Sequence, residues 1–428
     1  MGKAIRPAAF ASAGRAAAVT LLLALPLGGL RLEDVAGANS LGFRPFWIAI
    51  PVIVVFAGRL AAEIFRFDGV APSRAPKAAL AALHGRPIQF LFVAAIVAAV
   101  AFPMTPLATR YDLDLVTTFL IYVMLGWGLN IVVGMAGLLD LGYVAFYAAG
   151  AYTFGIISTR FGVSFWMALP LCGLVSASLG ILLGFPVLRL KGDYLAIVTL
   201  GFGEIIRIII VNWAELTGGP NGISGIPRPS FFGLPFAATA QAGTTTFSQF
   251  LGIAFSPMQR VAWLYYIILA LALVTLAFTE RLRRLPIGRA WEALREDEIA
   301  AQAVGLNPTV VKLSAFAFGA MLGGLAGCFF ATRQSFISPE SFTFTESAVV
   351  LAIVVLGGMG SQVGVVLAAA VLVGLPELGR NFAEFRMLLF GVAMILIMVC
   401  RPSGLVSGRT SSMRVDVSAY RPVSEVAR

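Results

Sequence analysis

Two opposite charges inside an apolar stretch are the strongest candidates for chemistry in this sequence. Glu204 and Arg207 lie three residues apart within residues 195–212. On a helix this spacing makes two side chains neighbours on one face, and mutual pairing lowers the cost of burying either charge. An ionisable residue in such surroundings is a functional candidate by default, and this pair could meet the ammonium or carboxylate of a zwitterion. It could also lock two helices together. The sequence favours that structural role and leaves both open.

The rest of the sequence offers little of what covalent chemistry or metal binding needs. His84 is the single histidine, and Cys172, Cys328 and Cys400 all lie in apolar runs, where thiols behave as small hydrophobic groups. A GxxxxGK[ST] phosphate loop does not occur, so the chain does not hydrolyse ATP by that device. We therefore expect no catalytic residue, no metal site and no cofactor bound by this chain.

The composition indicates which solvent surrounds the chain. Of 428 residues, 59% are hydrophobic and 12% are charged, an apolar content that a soluble protein of this length could not bury. An integral membrane protein is therefore predicted. The formal net charge of +10 would suggest nucleic acid in a soluble chain. Here the basic residues cluster in short loops, which indicates contact with anionic lipid headgroups and no nucleic acid.

Apolar segments long enough to cross, or nearly cross, a hydrocarbon core of about 30 Å follow one another along the chain. They cover approximately residues 16–30, 43–60, 88–103, 113–133, 138–158, 165–185, 195–212, 261–279, 312–332, 346–360, 361–375 and 386–400. We expect an all-α, polytopic membrane helix bundle with about 10–12 crossings, some of them broken or re-entrant. Basic clusters fall on one side when the segments alternate, which predicts cytoplasmic termini and an external loop at 213–260. Retention of the first segment is favoured over its cleavage as a secretory signal.

Two glycine-rich breaks interrupt these segments. The first contains Gly134 and Gly137, and the second contains Gly357, Gly358 and Gly360. Irregular backbone at membrane depth is tolerated where it lines a cavity or lies inside protein. Both breaks are therefore predicted to line a central path.

Asp140 and Tyr143 follow the first break and are further candidates for the path. Asp140 could bind a substrate, cap the helix that begins there or face the cytoplasm. The last two roles are favoured.

The polar stretch at residues 280–311 is predicted to be a cytoplasmic loop that contains a short helix. Arg289 to Val304 are good helix formers, Gly305 is placed to end the helix, and Asn307-Pro308 to begin the next one. Small apolar residues recur at three- and four-residue steps and form a stripe: Ala290, Ala293, Leu294, Ala300, Ala301 and Val304. Such a stripe is suited to close packing against another protein. A simple connector lying on the membrane is the alternative.

This stretch is similar to the cytoplasmic EAA loop of ABC-importer permeases, in which a Glu-Ala-Ala-x-x-x-Gly core docks into the ATP-binding subunit. Glu298, Ala300, Ala301 and Gly305 match that core, with Ile299 inserted after the glutamate. Longer runs resemble the branched-chain amino acid permease family: GLLDLGYVAFYAAGAY (137–152), LRLKGDYLAIVTLGFGEIIR (188–207), TGGPNGI (217–223) and VLGGMGSQVG (355–364). The likeness covers about residues 88–405, and the N-terminal extension fits the longer, high-affinity type.

The resemblance implies an importer of leucine, isoleucine and valine in the bacterial inner membrane. Its parts would be this subunit, a second homologous permease subunit, two cytoplasmic ATP-binding subunits that use the ATP, and a periplasmic substrate-binding protein. Motion of the 289–305 helix would pass through its connection into segment 312–332. Permeases of urea, short amides or aromatic acids are the alternative, and an ion-coupled secondary transporter is less favoured because it leaves the EAA-like helix without a role. The implied domains are an N-terminal extension (1–87), a permease domain (88–405) and a cytoplasmic tail (406–428).

Overall fold

The computed structural model describes part of the chain. It covers the strands at residues 30–35 and 38–43, and then residues 96–105, 109–187, 190, 192–230, 257–378, 391, 395 and 404–406. The predicted segments 16–30, 43–60 and 386–400 lie almost entirely outside these residues, as do His84, Cys400 and both termini. The chain divides into two compact units, Met1–Thr105 with Leu375–Gly391, and Pro106–Gly374 with Val392–Arg428.

The first unit contains an antiparallel strand pair that the sequence analysis did not predict. Strand β1 is Leu30–Val35 and strand β2 is Ala38–Phe43, with Leu30 opposite Phe43 and Val35 opposite Ala38. Leucine and charged residues alternate along the start of β1, which is the two-residue period of a strand. In the same unit, helical residues 96–101 lead into a 3-10 turn, Phe102–Met104.

Beyond Thr109 the described residues are mainly helical, which confirms the predicted all-α bundle. The helices are α1 (Arg110–Leu129), α2 (Val144–Phe161), α3 (Phe165–Val187), α4 (Asp193–Asn212), α5 (Ala214–Thr217), α6 (Pro257–Arg284), α7 (Pro286–Glu296), α8 (Glu298–Ala303), α9 (Pro308–Gln334), α10 (Phe344–Gly357) and α11 (Gln362–Leu378). A two-residue strand pair, β3 (Ile223–Ser224) with β4 (Phe336–Ile337), joins the loops that precede α6 and α10.

Five of the described helical stretches are long and apolar enough to cross a membrane, judged by length and composition. They are Arg110–Met135, Phe165–Pro186, Asp193–Asn212, Met258–Arg284 and Pro308–Gln334, and two shorter apolar helices follow at Phe344–Gly357 and Gln362–Gly374. This arrangement fits a multi-pass membrane protein. The total of 10–12 crossings stays a prediction, because several of the predicted segments lie outside the described residues.

Helix α9 forms the centre of the described bundle and packs closely against α2 and α3. A Cβ atom at Gly327 would lie 2.1 Å from the carbonyl oxygen of Tyr147 on α2, and one at Gly324 would lie 2.2 Å from Oγ of Ser176 on α3. Only glycine allows these approaches. Close backbone packing through small residues is the usual way that helices associate in lipid.

The first glycine break is longer than predicted. Helix α1 ends in a π-helical turn, Asn130–Met135, and α2 begins at Val144 rather than near residue 138. Gly137 has φ +71°, a left-handed conformation that glycine adopts without steric cost. The second break lies where predicted, between the short helices α10 and α11, and Gly358 and Gly360 have φ +104° and +85° there.

The run TGGPNGI forms the tight turns that its glycine and proline content predicts. Gly218, Gly219 and Gly222 all have positive φ, and a 3-10 turn covers Gly219–Asn221. A Cβ atom at Gly222 would lie 1.9 Å from the carbonyl oxygen of Ile337 on β4, so this loop is held against the loop before α10. Residues 231–256 of the predicted external loop lie outside the described residues.

Candidate functional site

The predicted 289–304 helix is two helices. Asp297 leaves the helical conformation with φ −155° and ψ 113°, which ends α7 and begins α8. Its side chain accepts hydrogen bonds from the N–H groups of Ile299 (2.8 Å) and Ala300 (3.0 Å). This is an N-cap, a role in which aspartate is strongly preferred, and it explains why the helix restarts at Glu298. We call α7 and α8 together the coupling helices.

Gly305 ends α8 as predicted. It has φ +89°, its N–H donates to the carbonyl of Gln302 (2.9 Å), and the N–H of Leu306 donates to the carbonyl of Ala301 (3.1 Å). These two bonds are the Schellman arrangement, in which a left-handed residue satisfies the last carbonyls of a helix. Asn307 then caps α9 through its side chain, with Pro308 at the first helical position, as the sequence indicated.

Trp291 anchors α7 to α9. Its side chain is completely buried, and Nε1 donates to the carbonyl of Val311 (3.1 Å) and to Oγ of Ser314 (2.9 Å). Its ring also packs edge-on against Phe318, with the centroids 5.9 Å apart. Trp291 was not among the candidate residues that the sequence pattern indicated. The available signal was its spacing from Leu294, because residues three apart share one face of a helix.

A second link ties α8 to α9. Lys312 Nζ lies 2.8 Å from Oε1 of Glu298, and the Lys312 side chain is 7% exposed. A buried ammonium requires such a partner. Glu298, the glutamate of the EAA-like core, is therefore held by α9 of its own chain.

The predicted small-residue stripe does not lie on one face. Leu294 and Ala301 are buried against the bundle, whereas Ala300 and Val304 are exposed. The exposed side of α8 and the following residues carries large apolar groups, with Ile299 76%, Val304 79% and Val310 61% exposed. We call Ile299, Ala300, Val304 and Val310 the docking patch. Its apolar side chains are candidates for contact with another protein.

Arg295 extends from α7 to the first glycine break. Its guanidinium donates a hydrogen bond to the carbonyl of Gly134, and its side chain is 23% exposed. Gly137 leaves room for it, because a Cβ atom there would lie 2.5 Å from Cγ of Arg295. The guanidinium is also near the second break, since a Cβ atom on Gly360 would lie 3.6 Å from one of its nitrogens.

The two glycine breaks meet each other through Asn130. This residue is completely buried, and its Oδ1 accepts a hydrogen bond of 2.8 Å from the N–H of Gly360. A Cβ atom at Gly134 would lie 2.0 Å from that oxygen and 2.5 Å from the nitrogen of Gly360. The sequence predicted both breaks but not their contact. Their role as the lining of a path stays a prediction.

A cleft of about 250 Å³ opens beside this junction. Its walls come from the first break, the start of α4, the coupling helices and the base of α9. Among the lining residues are Gly137, Asp193, Arg295, Glu298 and Lys312. The charged groups that link the coupling helices to the bundle therefore share one cleft.

Asp140 does not cap α2 and its side chain is not exposed to solvent, which contradicts the cap and the solvated position that the sequence favoured. It lies in the loop between α1 and α2, it is 1% exposed, and its Oδ1 accepts a 2.9 Å hydrogen bond from the N–H of Gly142. Tyr143 is completely buried and donates to the carbonyl of Gly319 on α9 (2.9 Å). Its geometry is that of a packing anchor.

Comparison with known proteins decides the family. The model of the family described as "Branched-chain amino acid transport system / permease component" matches residues 112–398. The chain is 51% identical over 408 residues to the high-affinity branched-chain amino acid transport system permease protein LivM of Salmonella typhimurium, covering 94% of this chain and 95% of that protein. The Escherichia coli protein of the same name is 50% identical over the same shares.

The chain belongs to the branched-chain amino acid transport permease family. A probable branched-chain permease of Methanocaldococcus jannaschii is a more distant relative, 27% identical over 256 residues, which are 56% of this chain and 67% of that protein. A search of solved structures found no significant match. The coupling helices and both glycine breaks lie inside the matched region. Because the members of this family are permease components of transport systems, this chain is a transport component and not an enzyme.

In this permease Glu204 and Arg207 form the ion pair that their spacing allows. Arg207 Nε donates to Oε2 of Glu204 at 2.9 Å, and each side chain is 36% exposed. The neighbouring Ile205 and Ile208 are 52% and 53% exposed, so α4 presents an apolar face with one ion pair at its edge. Whether the pair is structural or meets the substrate stays open. Among the described residues no group of three metal-binding side chains occurs.

Proposed function

We propose that this chain is a permease subunit of a bacterial ABC importer that carries leucine, isoleucine and valine into the cytoplasm. The observation that carries the proposal is the 51% identity to a high-affinity branched-chain amino acid permease across almost the whole of both chains. The other parts are a second homologous permease subunit, two cytoplasmic ATP-binding subunits and a periplasmic binding protein. The chain lies in the inner membrane with both termini in the cytoplasm.

The coupling helices support the proposed coupling to ATP. The docking patch is exposed and apolar, as a protein contact requires, and the buried side of the same helices is attached to α9 by Trp291 and by the Glu298–Lys312 pair. A displacement imposed on the patch by an ATP-binding subunit therefore reaches α9 through these two attachments. Access to the substrate path alternates as the bundle follows, and this chain forms no covalent bond in the cycle.

Reconstitution tests the proposal. The chain is purified with its partner subunits, placed in liposomes, and supplied with the binding protein and radiolabelled leucine, isoleucine or valine. We expect uptake that requires ATP hydrolysis and is competed by the other two amino acids. Uptake by the purified chain alone, driven by an ion gradient with no ATP-binding subunit present, would overturn the proposal.

A further inference from the structure

One side chain of the coupling helices touches the helix breaks directly. Arg295 is on the last turn of α7, and its guanidinium donates to the carbonyl of Gly134 in the π-helical turn that ends α1. The last carbonyls of a helix have no partner within the helix and carry partial negative charge. A guanidinium satisfies such a carbonyl with a charge-assisted bond. Arg295 therefore holds α7 against the end of α1.

The contact continues from the first break to the second. Asn130, one turn before Gly134, accepts a hydrogen bond from the N–H of Gly360 (2.8 Å). The missing side chain of Gly134 allows these groups to approach, since a Cβ atom there would overlap both Asn130 and the backbone of Gly360. Arg295, Gly134, Asn130 and Gly360 thus form one continuous series of contacts from α7 to the junction of α10 and α11.

The second break is also tied to the chain beyond α11. The N–H of Leu405 donates to the carbonyl of Leu356 (2.8 Å), and the N–H of Val406 donates to that of Gly357 (3.2 Å). These bonds attach the end of α10 to residues 405 and 406. The contact between the breaks therefore lies in a hydrogen-bonded junction, and we expect a shift of one break to displace the other.

We infer that Arg295 and Asn130 are positioning residues that transmit movement of the coupling helices to both helix breaks, by a route separate from the α9 connection. The inference rests on the proposed function and assigns it a specific linkage. Trp291 and Lys312 attach the coupling helices to α9, whereas Arg295 attaches them to α1 and, through Asn130, to α10 and α11. Loss of Arg295 should leave the attachment to α9 intact, so the complex should still assemble. The two breaks should no longer follow the movement of the coupling helices.

The test measures leucine uptake per ATP hydrolysed in liposomes that contain the complete complex and its binding protein. Arg295→Gln removes the charge-assisted bond, and Arg295→Lys keeps the charge without the planar fork. Arg281→Gln is the matched control, because it removes an exposed arginine outside residues 289–305. We expect Arg295→Gln to retain the ATP-binding subunits and their ATP hydrolysis but to lower uptake per ATP about tenfold. Losing one such bond shifts the equilibrium toward conformations in which the breaks do not follow by about this factor. The uptake per ATP of Arg295→Lys should lie between that of Arg295→Gln and that of the wild type. Arg281→Gln should match the wild type.

Asn130→Ala tests the same linkage at its other end and decides the outcome if Arg295→Gln fails to assemble. It leaves the Gly360 N–H without its acceptor and, like Arg295→Gln, should lower uptake per ATP. Combining it with Arg295→Gln should add little, because residues in one series of contacts are not additive. An assembled complex of either single variant with the wild-type ratio of uptake to hydrolysis would overturn the inference. Failure of the wild-type complex to take up leucine with ATP would instead refute the proposed function.

Discussion

Glu298 is bonded to Lys312 of the same chain, with 2.8 Å between Oε1 and Nζ. The pair closes the turn from α8 to α9, and the two side chains are 24% and 7% exposed. The glutamate of the EAA-like core therefore braces the coupling helices from inside. The exposed apolar side chains of the docking patch are the proposed contact surface for an ATP-binding subunit.

Glu298→Gln should destabilise the folded chain, because Lys312 is left buried without a counter-charge. Removing one partner of a fully buried pair costs roughly 3–5 kcal/mol, and the partial exposure of Glu298 makes the expected loss smaller. Thermal unfolding of the purified chain in detergent measures it. The double variant Glu298→Gln/Lys312→Met should recover part of the loss. Equal unfolding temperatures for the single variant and the wild type would contradict the bracing role.

Gly305→Val should uncouple ATP hydrolysis from uptake while the chain stays in the membrane. A Cβ atom at Gly305 meets no neighbour within 4 Å, so the only obstacle is its left-handed backbone, which costs a non-glycine residue about 1–2 kcal/mol. A strained turn would shift α8 relative to α9. Gly305→Asn is the matched control, because asparagine tolerates this conformation. Equal uptake per ATP in the two variants would show that the φ of this residue has no such role.

Gly134→Ala should destabilise the junction of the two breaks. The added methyl would lie 2.5 Å from the nitrogen of Gly360, and backbone cannot move aside as a flexible side chain can. Overpacking of this kind typically costs about 1–3 kcal/mol. Gly201→Ala on α4 is the control, because nothing lies within 4 Å of a Cβ atom there. Unfolding temperatures of the two variants should differ, with only Gly134→Ala below the wild type.

A cysteine at position 230 should react with an impermeant thiol reagent added outside intact cells. The alternation of basic clusters predicts that this loop lies on the external face. The experiment uses a chain without its three natural cysteines. Ile299→Cys, on the exposed face of α8, should be labelled only after the membrane is permeabilised. The reverse pattern would refute the orientation.

Three variants distinguish the two alternative roles of the Glu204–Arg207 pair. If the pair is structural, Glu204→Gln and Arg207→Gln should each lower the yield of folded complex, and the double variant should recover part of it. The loss should be below the roughly 3–5 kcal/mol of fully buried pairs, because both side chains are 36% exposed. If the pair meets the substrate, all three variants should assemble normally and lose uptake. We expect the structural outcome, and yield measured beside uptake decides it.

The sequence by itself determined the features that depend on local chemistry. The apolar segments predict membrane helices, and the glycine runs at 134–137 and 357–360 predict where these helices are interrupted. Gly305 and Asn307-Pro308 mark a helix end and a helix start because glycine tolerates positive φ and asparagine bonds to free N–H groups. Each of these signals acts within a few residues, so it can be interpreted without knowing the fold.

Only the tertiary structure decided which distant groups meet. Asp140 follows a glycine break, as a helix cap or a solvated loop residue could, and its burial depends on the elements packed around it. Trp291 is an isolated aromatic residue in the sequence, and its hydrogen bonds to α9 require the turn at Asp297 and Gly305. The bond between Asn130 and Gly360 joins residues 230 positions apart. Side-chain packing across such separations depends on the arrangement of whole helices, which no local pattern in the sequence specifies.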